Sequence, residues 1–457
     1  MPAPTITSAL RDASSQHRWQ VPLALLAFVV TFLSCVQAAH QRGVLSAPPV
    51  NGGDEDSYER LGYNLASGLG FGFCPSDQPI LEGRAEPAPV TECHGNCSPT
   101  EFAPTAYRPP GFPFVVAAIY RFSPLNFFAV RLMNCVFCAM AVAVTAVAFA
   151  SASRIAAFGL IVLCSIDPRF REFAGTFLTE NLATLTFCLF AIFLAAFLHT
   201  ESVSRGFLCG LALSALVFTR SFYVAWYPIL WICVAGWIAG QVHRSRVSVR
   251  VGIQVFAAFA VACLLLTGPW WIRNCLVLKA AMPTGTQGGI GIADGFSDSA
   301  WENFGSWTPT TANQILDRMK QDPALAKLSP PDLEKEHARQ GAEHAKNWIR
   351  ENLARIPQLS WWKLSRLWEC GSLLHGVLFV AMFIGLYAQR RQPVAKVMVL
   401  LLLLNSLTVM ATYHTYERFF TPFRPLIHGF AICGAQFVLQ SVRQRIRTLS
   451  PSPGSHH

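Results

Sequence analysis

Ten stretches of mostly apolar residues run through the chain, each near the length that crosses a bilayer. A spanning helix needs about 20 such residues. Only 14% of the residues are charged, against about 25% in soluble domains, which is too few to cover a soluble globule. The sequence therefore predicts an all-α polytopic membrane protein. The predicted spans are residues 21–39, 126–152, 154–168, 176–198, 206–221, 222–242, 251–272, 372–389, 395–412 and 425–442.

The basic residues fall mainly on one side of these spans. If the N-terminus is cytoplasmic, the inner loops and the tails at 1–20 and 443–457 carry 13 Lys or Arg and only two acids, and the other side is close to neutral. Cytoplasmic loops are rich in Lys and Arg, so both termini are predicted to be cytoplasmic. The net charge of +10 is then a topology signal. It does not indicate nucleic-acid binding, which needs a clustered basic face.

Two long outer segments contain almost all of the mass outside the membrane. The first, residues 40–125, lies between the first span and spans two to seven at 126–272. The second, residues 273–371, precedes spans eight to ten at 372–442. The inner loops are short, so we expect the protein to act at the outer face of the membrane.

The first outer segment contains an amphipathic pattern that predicts a surface helix over about 56–67. Asp54 and Glu55 lie just before this helix or in its first turn. They have two interpretations. The carboxylates could satisfy free backbone N–H groups of the helix, or they could act at the membrane surface as a general base or as metal ligands.

Arg108 stands beside a rigid turn, in the sequence TAYRPPGFPF. Prolines fix the backbone there, just before a short apolar segment at 114–122 that predicts a surface or re-entrant helix. The arginine could be a membrane-edge anchor, or its planar guanidinium could bind a phosphate.

An insert at 74–104 is rich in proline and contains three cysteines. A Cys93–Cys97 disulfide is one interpretation, with Cys74 unpaired or exchanged into it. A zinc site that also uses His94 is another, but the spacing is unlike that of a zinc knuckle. We therefore predict no metal ligands in this insert. The sequence establishes no cofactor, and a divalent cation is the one candidate.

Further ionisable residues lie at the outer ends of other spans. Asp167 ends one helix, and Glu180 lies in the next apolar helix, where an acid needs a polar cavity or a partner. Arg273 follows a tryptophan pair, and Arg418 lies in the last outer loop. In that loop His414 is a weaker candidate for a catalytic base.

Five motifs occur in a fixed order along the chain, all at the predicted outer face. They resemble those of the bacterial family 39 glycosyltransferases, the membrane enzymes related to protein mannosyltransferases and aminoarabinose transferases. The motifs are GDEDSYERLGYNLASGLGFGF at 53–73, YRPPGFP at 107–113, Thr-Glu at 179–180, PWWIRN at 269–274 and ERF at 417–419.

The resemblance implies a C-type glycosyltransferase fold and a hexosyl- or pentosyltransferase activity. Such enzymes transfer a sugar from a polyprenyl-phosphate carrier to a lipid, glycan or protein, as in lipopolysaccharide modification or protein glycosylation. It implies that Asp54 is the principal catalytic acid, with Glu55 beside it, and that Asp167 and Glu180 form a second acidic region. The implied substrate-binding residues are Tyr58, Arg108, Arg273 and Arg418, and Arg108 would bind the carrier phosphate.

The chain departs from the family pattern at the insert 74–104. The family runs more directly from the Gly-Phe motif to the Pro-Pro turn, and the soluble C-terminal domain of some relatives is missing. A transporter or lipid flippase is the alternative, because it shares the span count and an acid within a membrane helix. Transporters tend to contain internal repeats, and none is evident in this sequence.

Overall fold

The computed structural model describes residues 6–50, 53–74, 101–200, 202–282, 285–413 and 416–449. Every predicted span is a helix in this part of the chain, which confirms the all-α membrane class. These ten helices are α1 (Ile6–Gln41), α4 (Phe127–Ala150), α5 (Arg154–Ile166), α7 (Glu180–His199), α8 (Val203–Thr219), α9 (Trp226–His243), α10 (Val249–Leu278), α16 (Leu373–Ala388), α17 (Pro393–Ala411) and α18 (Arg424–Leu449).

Seven segments of the described chain are long and apolar enough to cross a membrane. The other three predicted spans, α5, α8 and α16, are shorter apolar helices of 13, 17 and 16 residues. A bilayer imposes this architecture, because in hydrocarbon each backbone N–H and C=O must be bonded within the chain.

Outside the ten membrane helices the described chain forms shorter helices on the side of the two long segments. They are α2 (Asp54–Ala66), α3 (Gly111–Phe122), α6 (Pro168–Arg171), α11 (Gln287–Gly295), α12 (Asp298–Glu302), α13 (Thr310–Gln321), α14 (Pro330–Glu351) and α15 (Ile356–Leu367). The strand structure of the described residues is one antiparallel pair, β1 (Gly72–Phe73) with β2 (Ala103–Pro104). Single 3-10 turns at Ser221–Ala225, Leu353–Arg355, Tyr416–Phe419 and Thr421–Phe423 complete the elements.

Two of the boundaries that differ from those predicted lie next to candidate site residues. The surface helix begins at Asp54, so Asp54 and Glu55 lie in its first turn after the extended residue Gly53. Helix α10 does not stop at 272 but continues to Leu278, because the residues beyond Pro269 are still mostly apolar. At about 1.5 Å per residue its 30 residues exceed the hydrocarbon core of about 30 Å. Arg273 therefore lies on a helix that extends beyond the membrane.

Close glycine contacts join α8 to α10. Gly206 and Gly210 are four residues apart on α8, and a Cβ at Gly210 would come within 2.3 Å of the carbonyl oxygen of Phe259. Small residues at this spacing let membrane helices approach closely. This close approach holds α8, the helix that Arg220 directly follows, against α10.

The outer helices form a layer over the membrane helices. Glu334 of α14 joins this layer to the segment after β2, because its Oε1 accepts hydrogen bonds from the backbone N–H of Ala106 (3.1 Å) and from Oγ1 of Thr286 (2.6 Å). The segment after β2 carries Arg108, so the outer layer helps to position that residue.

Candidate active site

Five charged side chains from separate segments meet at the ends of the membrane helices that face the two long segments. We call them the charged cluster: Asp54, Arg108, Glu180, Arg220 and Arg418. Asp54 accepts hydrogen bonds from Arg108 Nη2 (2.6 Å) and Arg418 Nη1 (2.9 Å), one on each oxygen. Oε1 of Glu180 accepts from Arg418 Nε (2.5 Å) and Arg220 Nη1 (3.1 Å). Arg418 therefore bridges the two acids.

Local structure explains how Arg108 reaches this position. The residue precedes Pro109 and Pro110, which restrict the backbone. Its Nε donates to Ser57 Oγ (3.0 Å), and its guanidinium lies over the rings of Tyr107 and Tyr58, at 4.7 and 5.3 Å from their centroids. The rigid turn and the two rings hold the guanidinium against Asp54.

The charged cluster has an excess of one positive charge. Burial alone would raise the pKa of Asp54, but Arg108 and Arg418 together lower it well below its ordinary value. Burial disfavours the charged form of both arginines, yet the neighbouring acids raise the pKa of each above its ordinary value. With Arg220 the cluster holds three cations and two anions, which suits it to bind an anion.

A cavity of about 660 Å³ opens beside the charged cluster. Asp54, Arg108, Arg220 and Arg418 line one end, and Asp54 remains 31% exposed there. Residues of the outer helices α11, α13 and α14 also line the cavity. Cavities of this size hold small-molecule ligands in other proteins.

Glu180 lies behind the arginines rather than on the cavity wall. Its side chain is fully buried, and the described residues provide no hydrogen-bond partner for Oε2. The predicted need for a partner is met by Arg220 and Arg418. This position is suited to orienting the two guanidinium groups.

Glu55 points away from the cavity although it follows Asp54 directly. It accepts hydrogen bonds from the backbone N–H groups of Phe177 (3.0 Å) and Val50 (3.1 Å), and it pairs with Arg131 at 3.4 Å. Successive residues on a helix do not face the same side. The predicted carboxylate pair is therefore divided between the cavity and the protein interior.

Asp167 belongs to a separate buried cluster and does not line the cavity. It accepts from Arg424 Nη1 (2.9 Å) and lies 3.1 Å from His428 Nε2 and 3.5 Å from His375 Nε2. These contacts join the end of α5 to α16 and α18. The predicted second acidic region is thus two sites, one at Glu180 and one at Asp167.

Arg273 also lies outside the cavity lining. It donates to the backbone oxygens of Thr105 (2.5 Å) and Phe71 (2.7 Å), and its guanidinium stacks on Trp270 at 4.9 Å. These contacts hold the β1–β2 pair against α10.

Tyr58 and Arg418, which the resemblance implies are substrate-binding residues, line the cavity. Arg220, Tyr107 and Tyr413 also line it and are not among the site residues predicted from the sequence. One feature of the sequence does indicate a role for Arg220, because this residue lies where two apolar spans adjoin with almost no loop between them. A charge in such a position needs a partner.

The described residues offer no ready site for a divalent cation. Among them, no group of three or more His, Cys, Asp or Glu is arranged to hold a metal, and both acids of the charged cluster are bound by arginines. Cys74 is disulfide-bonded. Cys93, Cys97, His94 and His414 lie outside the described residues.

The chain matches no protein-family model and no curated protein. Among solved structures it is similar to the crystal structure of ArnT from Cupriavidus metallidurans bound to undecaprenyl phosphate. The sequences are 13% identical, and the match covers 95% of this chain and 81% of that one, with a TM-score of 0.35. A likeness at this level does not assign a family or an activity.

Proposed function

We propose that the protein is a membrane glycosyltransferase acting at the outer face of the plasma membrane, with both termini cytoplasmic. It transfers a sugar from a polyprenyl-phosphate-linked donor to a lipid, glycan or protein acceptor. The observation that carries this proposal is the meeting of a carboxylate and three arginines at one end of a cavity. Each of these four side chains comes from a segment that is predicted to lie at the outer face.

The charge of the cluster matches that of the proposed donor. A polyprenyl-phosphate sugar is a phosphodiester with one negative charge, which neutralises the excess positive charge of the cluster. Transfer breaks the bond between the anomeric carbon and the phosphate oxygen, so a second negative charge develops on the departing phosphate. Arg108, Arg220 and Arg418 line the cavity where they would stabilise that charge.

Asp54 is the group best placed to accept the proton of the acceptor hydroxyl. The acceptor oxygen would attack the anomeric carbon from the face opposite the phosphate, which inverts its configuration. In the free protein both oxygens of Asp54 are bound by arginines, which makes it a weak base. A bound phosphate would compete for the same guanidinium groups and release Asp54. The base would therefore become active only after the donor binds.

This competition predicts two different acid limbs in the pH dependence. The pH profile of kcat/KM reports the pKa values of the free enzyme, and the pH profile of kcat reports those of the enzyme with bound substrate. Asp54 has a lowered pKa while Arg108 and Arg418 hold it. Losing these partners should raise the pKa of Asp54 by about 1–3 units. The acid limb of the kcat profile should therefore lie at a higher pH than the acid limb of the kcat/KM profile. Coincident limbs would contradict the release of Asp54.

The direct test is an assay of purified protein with a polyprenyl-phosphate sugar and candidate acceptors, in liposomes. The proposal predicts formation of glycosylated product together with free polyprenyl phosphate. Movement of the sugar lipid between leaflets without release of polyprenyl phosphate would instead identify a flippase. The charged cluster favours transfer because it lies at the outer helix ends, whereas a flippase needs sites along the whole path.

A further inference from the structure

A lysine occupies the buried face of the outer helix α15. The buried residues of this helix are Leu359, Lys363 and Leu367, which follow at intervals of four and so lie on one face. Lys363 is fully buried in the middle of that face, and the described residues provide no acidic partner for it. Burial lowers the pKa of Lys363 to about 7. A buried charge without an opposite charge is costly, so packing alone does not account for a lysine here.

The amine of Lys363 contacts two groups of the described chain, and both lie outside α15. Nζ donates a hydrogen bond to the carbonyl oxygen of Thr412 (2.7 Å) and lies 3.6 Å from the centre of the Phe296 ring. Thr412 directly follows the last residue of α17. The lysine therefore binds the negative end of a membrane helix, where a cation is stabilising.

Helix α11 approaches the same carbonyl group. A Cβ at Gly295, the last residue of α11, would clash with the oxygen of Thr412, so the close approach requires glycine. The next residue, Phe296, supplies the ring beside Nζ. Helices α11 and α15 of the outer layer thus meet at the end of α17, and Lys363 bonds them to it.

The carbonyl that Lys363 binds lies at the start of the segment that leads to the charged cluster. Tyr413 comes next in the chain and lines the cavity, and its ring meets the ring of Phe419 edge-on, 6.0 Å away between centroids. Phe419 directly follows Arg418, and the guanidinium of Arg220 lies over its ring at 5.8 Å. Two adjacent rings thus connect the end of α17 with two arginines of the cluster.

We propose that Lys363 is a positioning residue for the charged cluster. By fixing the end of α17, it holds the rings of Tyr413 and Phe419 in place, and these rings support two of the three arginines that face the cavity. This inference rests on the proposed function, in which those arginines bind the phosphate of the donor. Lys363 itself does not line the cavity, so it acts only through the two rings.

The test replaces Lys363 with Met, which fills a similar volume but has no amine. Removing a buried charge that has no acidic partner should leave the thermal unfolding temperature unchanged or raise it. Loss of the bond to Thr412 should nevertheless weaken binding of sugar-free polyprenyl phosphate to the purified full-length protein by about 10-fold, the effect of one hydrogen bond to a charged group. Wild-type affinity in this variant would overturn the inference. A loss of affinity that only parallels a loss of stability would also overturn it, because a purely structural role predicts that result.

A second variant breaks the same connection at its other end. Phe419→Leu removes the ring between Tyr413 and Arg220, and it also serves if Lys363→Met fails to fold. It should weaken binding of polyprenyl phosphate in the same direction. Because both changes act on one path, the double variant should bind no more than about 2-fold more weakly than the weaker-binding single variant. Fully additive losses would contradict a shared path.

Lys335→Met is the matched control. Lys335 of α14 also donates to the carbonyl oxygen at the end of a membrane helix, that of Leu278 in α10 (3.3 Å), and it pairs with Asp332 (2.9 Å). Neither Lys335 nor Leu278 is among the residues that line the cavity. This variant should change the affinity for polyprenyl phosphate by less than about 2-fold, as expected of a substitution away from the site. An equal loss in both lysine variants would show that Lys363 has no special role.

The outcomes separate this inference from the proposed function. If Arg108→Gln weakens binding of polyprenyl phosphate and Lys363→Met does not, the positioning role is wrong and the proposed function stands. If the wild-type protein neither binds polyprenyl phosphate nor transfers sugar, the proposed function fails. Hydrogen exchange of the backbone at Tyr413 then still tests the positioning, because it needs no ligand. It should be about 10-fold faster in Lys363→Met, and an unchanged rate would overturn the inference.

Discussion

Replacing Asp54 with Asn is expected to lower the rate of sugar transfer by about 10²–10⁴-fold, the usual contribution of a general base. The amide keeps the size of the side chain but cannot accept the proton. Membrane insertion and thermal stability should change little, because Asp54 is partly exposed to the cavity. The measurement is release of polyprenyl phosphate by purified protein at saturating donor.

Glu55→Gln is the matched control, since it makes the same change one residue later on the same helix turn. Glu55 is buried and binds Arg131 and two backbone N–H groups. We expect this variant to lower the thermal unfolding temperature and to retain transfer per folded molecule, with a destabilisation of up to about 3 kcal/mol. A wild-type rate in Asp54→Asn, or an equal loss of rate in both variants, would remove Asp54 from the mechanism.

Replacing Arg108 with Gln should weaken binding of the donor by about 10- to 100-fold. A hydrogen bond to a charged group contributes about 1.5–3 kcal/mol, and Arg108 is one of three arginines that face the cavity. The loss should also occur with sugar-free polyprenyl phosphate, because the contact is to the phosphate. Titration of both lipids against the purified variant measures it.

Arg273→Gln is the control for this change, since both arginines lie at the outer membrane edge and in family motifs. Arg273 binds backbone oxygens of the β1–β2 region and stacks on Trp270. Its loss should reduce stability without changing phosphate affinity beyond about 2-fold, within the effect of a substitution away from the site. Equal weakening in both variants would show that Arg108 has no special contact with the phosphate.

The helices were predictable because the bilayer leaves the chain few alternatives. All ten apolar segments form helices, and the short segment before α4 forms α3. Errors arose at helix ends, as at Asp54 and at the end of α10. These boundaries depend on local capping and on how far an apolar run extends beyond the membrane.

The site was predictable only where a residue had a distinctive sequence context. Asp54, Arg108, Glu180 and Arg418 were singled out from motifs, and the structure brings their side chains together. The separation of Glu55 from Asp54 depends on helix rotation, which a motif does not encode.

The residues of the outer helices that line the cavity have no such sequence context. Gln287 and Asn313 resemble ordinary polar residues of amphipathic helices, and they become notable only when three helices bring their faces together.

The double ion pair of Asp54 also bears on how a turnover would end. Proton transfer leaves Asp54 neutral while the polyprenyl phosphate carries two negative charges, so the product stays electrically balanced in the cavity. Once Asp54 loses its proton to solvent, it again competes for Arg108 and Arg418, whose guanidinium groups lie 2.6 and 2.9 Å from its oxygens in the free protein. The carboxylate that starts the reaction would then help to expel the spent carrier, which couples product release to deprotonation.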